Sequence, residues 1–270
     1  MRNFRIIFGA TVAVLVIAVA VFAPYIAPHD PDEQNLCEGL SLPRSGHLLG
    51  QDKLGRDQLS RLVYGARVSV IVGLSTVFIS ATIGIFVGAL AGFFRGVMDQ
   101  VLMRIVDILM AFPGILLAIA LTAVLGPSLR NIILALSILG WIGYSRLVRG
   151  QVLVEREKEY VQAAMALGAK SGRIIWRHLL INTSGPVIVQ ATFGIALAIL
   201  AEASLSFLGL GAPGIPSWGA MLNEGTSFLF TAPFLSIFPG LAIMVTVLGF
   251  NFLGDGLRRL LSPKEDVSRI

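Results

Sequence analysis

The sequence is short of the residues on which metal sites and cross-links most often depend. Of its 270 residues, one is cysteine and three are histidine. The lone thiol, Cys37, excludes an internal disulfide and a cysteine-based metal cluster. His29, His47 and His178 are far apart in the sequence and lack the His-Glu-x-x-His spacing of a metalloprotease. The sequence therefore predicts no metal site.

Motifs that bind nucleotide phosphates or activate a serine are also missing. The sequence contains no Gly-rich loop followed by Lys-Ser or Lys-Thr, which would cradle ATP phosphates, and no Gly-x-Ser-x-Gly elbow. We therefore expect neither an enzyme nor a cofactor bound by this chain. Any ATP that its function requires has to be hydrolysed by another chain.

Charged residues are scarce at 14%, whereas 55% of the residues are hydrophobic and the mean hydropathy is +0.81. Soluble domains rarely have this composition. The apolar residues form blocks of about 20, the length at which a helix crosses the hydrocarbon layer of a bilayer. Six such blocks lie at residues 6–26, 68–94, 101–125, 132–148, 187–208 and 234–253. They predict an all-α, polytopic membrane protein with about six transmembrane helices.

The first apolar block begins like a signal peptide, because Arg2 and Arg5 precede it. It is longer than a typical signal core, and the Ala-Pro and Pro-His steps that follow make a poor cleavage site. We therefore expect it to be a retained membrane helix.

The positive charges lie between the apolar blocks. The pI near 9.8 is compatible with nucleic-acid binding, but no basic stripe is present, so no nucleic-acid partner is expected. Short loops rich in Lys and Arg stay in the cytoplasm. With the N-terminus inside, 15 of the 21 cations fall on the inner side, which predicts two cytoplasmic termini. The chain then divides into a first helix with an outer segment (1–66), a core (67–256) and a cytoplasmic tail (257–270).

The outer segment ends in a stretch with apolar residues at helical spacing. Leu54, Leu59, Leu62 and Val63 fit one face of a short helix at the membrane surface. Arg56, Asp57 and Arg61 are then directed elsewhere. This pattern predicts an interfacial helix that leads into the second span.

The long inner loop carries a second helical pattern. Tyr160, Ala163, Ala164 and Leu167 share one face, and Gly168 then interrupts the helix. A second apolar face follows at residues 174–179. Two short amphipathic helices joined at a glycine are predicted, which either lie on lipid headgroups or dock to another protein.

Charges and a proline inside the spans are costly in lipid and suggest specific roles. Arg104 and Asp107 are three residues apart and are predicted to pair with each other. Glu202 lies near the outer end of the fifth block, where it either lines the outer mouth of a path or sits at the interface. Pro113 frees a backbone carbonyl, so it is expected to kink its helix and to face a neighbour or a wet cavity.

The inner loop resembles the EAA loop of ABC importer membrane subunits. That pattern has Glu-Ala-Ala, three residues, Gly, nine residues and then Ile-x-Leu-Pro; Ala163, Ala164, Gly168 and Leu180 agree, whereas Gln162, His178 and Ile181 depart. Further stretches are similar to the dipeptide, oligopeptide and nickel permease subfamily, in the same order over nearly the whole chain. They lie at residues 48–67, 106–113, 203–211, 217–219 and 250–258.

The resemblance implies the type I importer permease fold, with the coupling loop at about 155–181. It also implies a second homologous permease, two cytoplasmic ATPases that carry ATP and Mg, and an extracytoplasmic substrate-binding protein, all at the bacterial inner membrane. Residues that match the coupling loop or flank it are expected to contact an ATPase: Glu159, Tyr160, Gln162, Ala163, Ala164, Leu167, Gly168, Arg173 and Leu180. Arg259 and Ser262 stand in the tail where relatives often carry acids.

The resemblance implies peptide as the cargo, with nickel or a metal chelate as the alternative. An ion-coupled secondary transporter is a second alternative, although the sequence has neither mid-membrane coupling carboxylates nor an internal repeat. A membrane enzyme is disfavoured because no set of His, Asp and Ser residues converges.

Overall fold

The computed structural model describes residues 2–261, with side chains from Arg5 onward. Residues 262–270 of the expected cytoplasmic tail, which include Ser262, lie outside the described residues, whereas residues 257–261 belong to the last helix. The described part is helical and contains no strand beyond two isolated bridges in the outer segment. The helices are α1 (Arg2–Val21), α2 (Ala23–Ile26), α3 (Gln58–Phe94), α4 (Gly96–Met110), α5 (Gly114–Leu125), α6 (Leu129–Arg156), α7 (Glu159–Ala166), α8 (Ser171–Ile174), α9 (Leu180–Phe207), α10 (Trp218–Thr226) and α11 (Phe234–Leu261). The predicted all-α class is confirmed.

Four helical segments of the described residues are long and apolar enough to cross a membrane. They are Gln58–Phe94, Leu129–Arg156, Ser171–Phe207 and Phe234–Leu261. The apolar part of α1, Arg5–Val21, is shorter, and α4 with α5 makes a fifth span if the two are counted together. The predicted count of six is therefore approximate.

The predicted span over residues 101–125 is broken into two helices. Helices α4 and α5 meet at 83°, with a break at residues 111–113. Pro113 has no N–H to continue the ladder of α4, and its ring excludes a helical carbonyl four residues earlier. It instead precedes α5, where its carbonyl accepts the Leu117 N–H at 3.1 Å. The chain thus turns by nearly a right angle at Pro113, which is sharper than the expected kink.

Helices α3 and α6 approach each other closely because α3 carries a glycine every fourth residue. A Cβ added at Gly84, Gly88 or Gly92 would lie under 3.0 Å from atoms of α6. Residues four apart share one helix face, so the three glycines form a single groove. The backbone of α6 fits into this groove.

Helix α1 packs on α11 in a similar way. A Cβ at Gly9 would overlap the α11 backbone at Leu253, and a Cβ at Gly249 would overlap the side chain of Val12. The first helix therefore lies against the last one; α1 also packs on α3, and α11 also packs on α9.

Candidate functional site

The first of the two predicted inner helices is present, and a glycine ends it as expected. Helix α7 ends before Gly168, which has a φ of +75°, and α8 begins three residues later. The second helix is not a separate short one, however. A five-residue π turn, Ile175–Leu179, joins α8 to α9, so the helical path is continuous over Ser171–Phe207. We call residues 159–180 the coupling segment.

One face of the coupling segment is buried against the membrane helices. Val161 on α7 and Leu179 in the π turn are fully buried, and they pack with Val148 and Val152 of α6 and with Phe93 of α3. Apolar burial holds the segment to the C-terminal ends of α3 and α6. The segment is thus fixed to the helices beneath it.

The opposite face is apolar and exposed. The Leu167 side chain is 88% exposed, and Tyr160 and Ala163 are exposed beside it, with Ala164 half-buried. Other predicted ATPase contacts lie as follows: Glu159, Gln162, Gly168 and Arg173 are exposed, and Leu180 is half-buried. Leu167 and Tyr160 together form an exposed apolar surface, and contiguous surfaces of this kind occur where a protein contacts another protein or a membrane.

Hydrogen bonds join α7 to α6 and α9 at the base of the segment. The Tyr160 hydroxyl donates to the Glu155 carboxylate at 2.8 Å and accepts the Asn182 amide at 2.6 Å. Lys158 Nζ donates to the same carboxylate at 2.6 Å. Burial, and then the bond to Glu155, raise the pKa of Tyr160, while the bond to Glu155 raises the pKa of Lys158. Tyr160 therefore positions the coupling segment.

The predicted pair of Arg104 with Asp107 is wrong. Asp107 pairs with Arg146 of α6, and Asp99 accepts two bonds from Arg149 at 2.5 and 2.7 Å. Within a helix, an Arg placed before its acid opposes the helix dipole, so this order of charges is the weaker one. Both acids of α4 pair with arginines of α6 instead. The Asp107 and Arg146 side chains are exposed, so this is not a buried charge pair.

A cavity of about 400 Å³ lies between α3, α5, α6 and α9. Its polar lining groups are neutral and include Thr76, Ser80, Tyr144 and Gln190. Pro113 does not line it, although Gly114 directly after it does.

Glu202, expected at an outer mouth or at the interface, is instead only 1% exposed. Its Oε1 accepts the Ser206 hydroxyl at 2.6 Å, and its Oε2 has no hydrogen-bond partner among the described residues.

A buried charge cluster at the other end of α3 was not predicted. Asp52 accepts Arg56 Nε at 2.6 Å and pairs with Arg61, and both arginines reach Glu224 of α10 at 3.0 Å. Burial alone would raise the pKa of Asp52, but Arg61 and Arg56 outweigh it and lower that pKa. We call these four residues the outer charge cluster.

The outer charge cluster corrects the prediction of an interfacial helix. Arg61 is only 4% exposed, and α3 runs from Gln58 without interruption. The apolar spacing was compatible with an amphipathic helix, but Glu224 lies more than 160 residues away in the sequence and gave no local signal. Trp218 of α10 also contacts α3, because its indole N–H donates to the Leu62 carbonyl at 2.9 Å.

The fold is shared with solved permeases. Two inward-facing structures of the MetNI methionine ABC transporter match with TM-scores of 0.62 and 0.60. In each case 21% of the aligned residues are identical; the matches cover 74% and 75% of this chain and 96% and 97% of those chains. The described helices therefore have the fold of a type I ABC importer permease.

Sequence relatives define the family. Residues 84–267 match the family described as binding-protein-dependent transport system inner membrane component, and residues 1–43 match the N-terminal TM domain of oligopeptide transport permease C. The dipeptide transport system permease protein DppC of Alkalihalophilus pseudofirmus is 45% identical, over 97% of this chain and 87% of that protein. The glutathione transport system permease protein GsiD of Pectobacterium atrosepticum is 44% identical, over 98% and 88%.

This chain belongs to the family of binding-protein-dependent transport system inner membrane components. The prediction of an ABC importer permease is confirmed, and the secondary transporter is excluded. Among the subfamily alternatives, nickel is not favoured.

Proposed function

We propose that the chain forms one half of a path that carries di- and oligopeptides across the inner membrane into the cytoplasm. A second homologous permease forms the other half. Two cytoplasmic ATPases, which bind ATP and Mg, drive the transport, and an extracytoplasmic binding protein delivers the peptide. In this arrangement both termini and the coupling segment face the cytoplasm.

The continuity of the coupling segment with α9 carries this proposal. Gln190 and Gly194 of α9 line the cavity, and the same helical path begins at Ser171 beside the exposed face of α7. A displacement of α7 by an ATPase therefore has to cross only the short turn at residues 167–170 before it acts, through one continuous helical path, on a wall of the cavity. Gly168, with a φ of +75°, lies in that turn.

Peptide cargo fits the cavity better than a bare metal ion does. A volume of about 400 Å³ lies in the range of small-molecule sites. The lining residues include hydroxyl and amide groups but no carboxylate, imidazole or thiol. Ni²⁺ is held by imidazole, carboxylate and thiolate ligands, whereas a peptide backbone is recognised by neutral donors and acceptors. The names of the relatives point to the same cargo.

Coupling is tested by replacing Leu167 with aspartate in the transporter reconstituted with its ATPases. The side chain is exposed, so the variant should fold, but a charge buried at the dock should cost several kcal/mol, or about 1 kcal/mol if water remains. We expect weaker ATPase retention and loss of peptide uptake. Leu260→Asp, at another exposed leucine near the end of α11, is the matched control. Equal uptake by both variants would contradict docking at this face.

Cargo is tested with proteoliposomes that contain the complete transporter and its binding protein. We expect ATP-dependent uptake of a labelled dipeptide, reduced by excess unlabelled peptide. Labelled Ni²⁺ supplied alone should not accumulate. Uptake of Ni²⁺ without uptake of peptide would overturn the proposed cargo.

A further inference from the structure

Two of the three histidines meet an aspartate where the outer segment contacts the start of α3. The His29 and His47 rings stack with centroids 4.6 Å apart, and a ligand atom from each of His29, His47 and Asp57 lies within 4.8 Å of the others. His29 and His47 are 18 positions apart, and His47 and Asp57 are 10 apart, so the group matches no motif of closely spaced metal ligands. This group is distinct from the cavity and the coupling segment.

The distances suit a transition-metal ion. His47 Nδ1 lies 2.9 Å and His29 Nδ1 lies 3.8 Å from the same oxygen, Asp57 Oδ1. Zinc bonds of about 2.0–2.2 Å in tetrahedral geometry place neighbouring ligand atoms about 3.3 Å apart. The two observed distances lie on either side of that value. The third separation, between the two histidines' ligand atoms, is bounded at 4.8 Å, so the stacked rings would have to turn toward each other for both to bind one ion.

An ion would replace the hydrogen bond that joins His47 Nδ1 to Asp57 Oδ1, and the neighbouring contacts leave both atoms and His29 Nδ1 facing one point. Asp57 Oδ2 is occupied by the Ser60 N–H and hydroxyl, both at 2.8 Å, which fixes the carboxylate and directs Oδ1 to the histidines. The buried Nδ1 of His29 has no hydrogen-bond partner among the described residues. Buried polar atoms are normally satisfied, so this nitrogen points to a missing ligand.

We propose that His29, His47 and Asp57 bind Zn²⁺. Two imidazoles and one carboxylate suit a borderline ion such as Zn²⁺, whereas Mg²⁺ and Ca²⁺ prefer oxygen ligands throughout. Three protein ligands leave a fourth position for water, so the ion should exchange with solvent and yield to a chelator. The ion would fasten the outer segment to the first turn of α3, beside the outer charge cluster.

The test uses the assembled transporter, purified through a tag without histidine on a partner subunit. Every version carries Cys37→Ser, because the exposed thiol would itself bind zinc. After treatment with EDTA, the complex is dialysed against ZnCl₂ and its zinc content is measured by mass spectrometry. We expect the unmodified site to hold one zinc ion per chain above the content of a matched His29→Phe complex, and MgCl₂ not to compete.

His29→Phe separates loss of the ligand from loss of the fold. The side chain of His29 donates no hydrogen bond to the described residues, and phenylalanine can keep the ring stack with His47. With EDTA present, this variant should therefore unfold at the same temperature as the parent. Its zinc affinity should fall by about 100-fold or more, since even supporting residues of metal sites change affinity by 10–100-fold. Zinc should raise the unfolding temperature of the parent only.

Two further variants decide between specific and general binding. His47→Ala should also lose the ion, whereas Asp30→Asn, at an exposed acid next to His29, should bind it like the parent. The site is disproved if the parent binds no zinc beyond His29→Phe. If Asp30→Asn lost as much bound zinc as His29→Phe, the zinc would be bound diffusely by the acidic outer surface, and the proposed site would also be disproved.

Discussion

Asp52 is the residue on which the outer charge cluster depends. Its carboxylate lies between the guanidinium groups of Arg56 and Arg61, and it is 3% exposed. Taking charges out of water is costly, and only close pairing with good hydrogen bonds offsets that cost. The cluster therefore adds little net free energy when complete, but removal of Asp52 leaves two largely buried guanidinium groups that share the single carboxylate of Glu224.

Asp52→Asn should consequently destabilise the protein strongly. Removing one partner of a buried pair typically costs about 3–5 kcal/mol. We expect a clearly lower unfolding temperature in detergent. Glu38→Gln removes an acid from the exposed pair with Arg44, which is 2.5 Å long, and exposed pairs contribute about 0–1 kcal/mol. A similar loss of stability in both variants would show that burial does not matter here.

The same residue predicts a pH dependence. The pKa of Asp52 is lowered from its ordinary value of 3.8, so the folded state binds this proton less readily than the unfolded state. The stabilisation by this group is therefore complete above that ordinary value and is lost as the pH falls through the lower folded pKa. Stability curves of the parent and Asp52→Asn should converge below about pH 4. Parallel curves down to pH 3 would contradict this assignment.

Gly168 has a role that depends on its backbone alone. An added Cβ would meet nothing within 4 Å, so space does not limit substitution, but a φ of +75° does. A β-branched residue in this conformation costs about 1–2 kcal/mol, whereas asparagine adopts it more readily. Gly168→Val should misplace α7 and uncouple ATP hydrolysis from transport, and Gly168→Asn should keep most uptake. Equal uptake by the two variants would exclude a backbone role.

The groove formed by Gly84, Gly88 and Gly92 of α3 determines how closely α6 can approach. At Gly88 a Cβ would meet the Ser145 carbonyl and would lie 2.9 Å from Val148 Cβ. Overpacking of this kind costs about 1–3 kcal/mol. Gly88→Val should lower the unfolding temperature of the purified transporter, whereas Gly150→Ala, where a Cβ meets nothing within 4 Å, should not. If Gly88→Val is as stable as Gly150→Ala, α3 and α6 are less closely packed than described.

Helices could be predicted from the sequence wherever one short-range signal decided the structure. The apolar blocks located the spans, and Gly168 separated two helices as expected. Pro113 was expected to kink a helix, but the 83° turn depends on where α4 packs, and α4 is set against α6 by Arg146 and Arg149. The spacing of Arg104 and Asp107 favoured a pair within α4, but Asp107 pairs with Arg146 of α6.

Sites built from distant segments escaped prediction for the same reason. Glu224 joins Arg61 from α10, and His29 reaches Asp57 from a segment without regular structure. No periodicity links such positions, because the contacts exist only after the outer segment has folded over the end of α3. The coupling segment was predictable since its helix formers, glycine and apolar faces all lie within about 20 consecutive residues.

The orientation of the whole molecule can be tested with the native thiol. Cys37 is the only cysteine and is exposed in the outer segment, so no engineering is needed on that side. The cation distribution places this segment outside and the end of α11 inside. In right-side-out vesicles an impermeant maleimide should label the parent, should fail to label Cys37→Ser, and should label Cys37→Ser/Arg259→Cys only after the vesicles are opened. Arg259 is exposed, so access to the new thiol is limited by the membrane and not by the fold. Labelling of the Arg259→Cys thiol in sealed vesicles, with Cys37 protected in the parent, would invert the molecule and place the coupling segment on the side away from ATP.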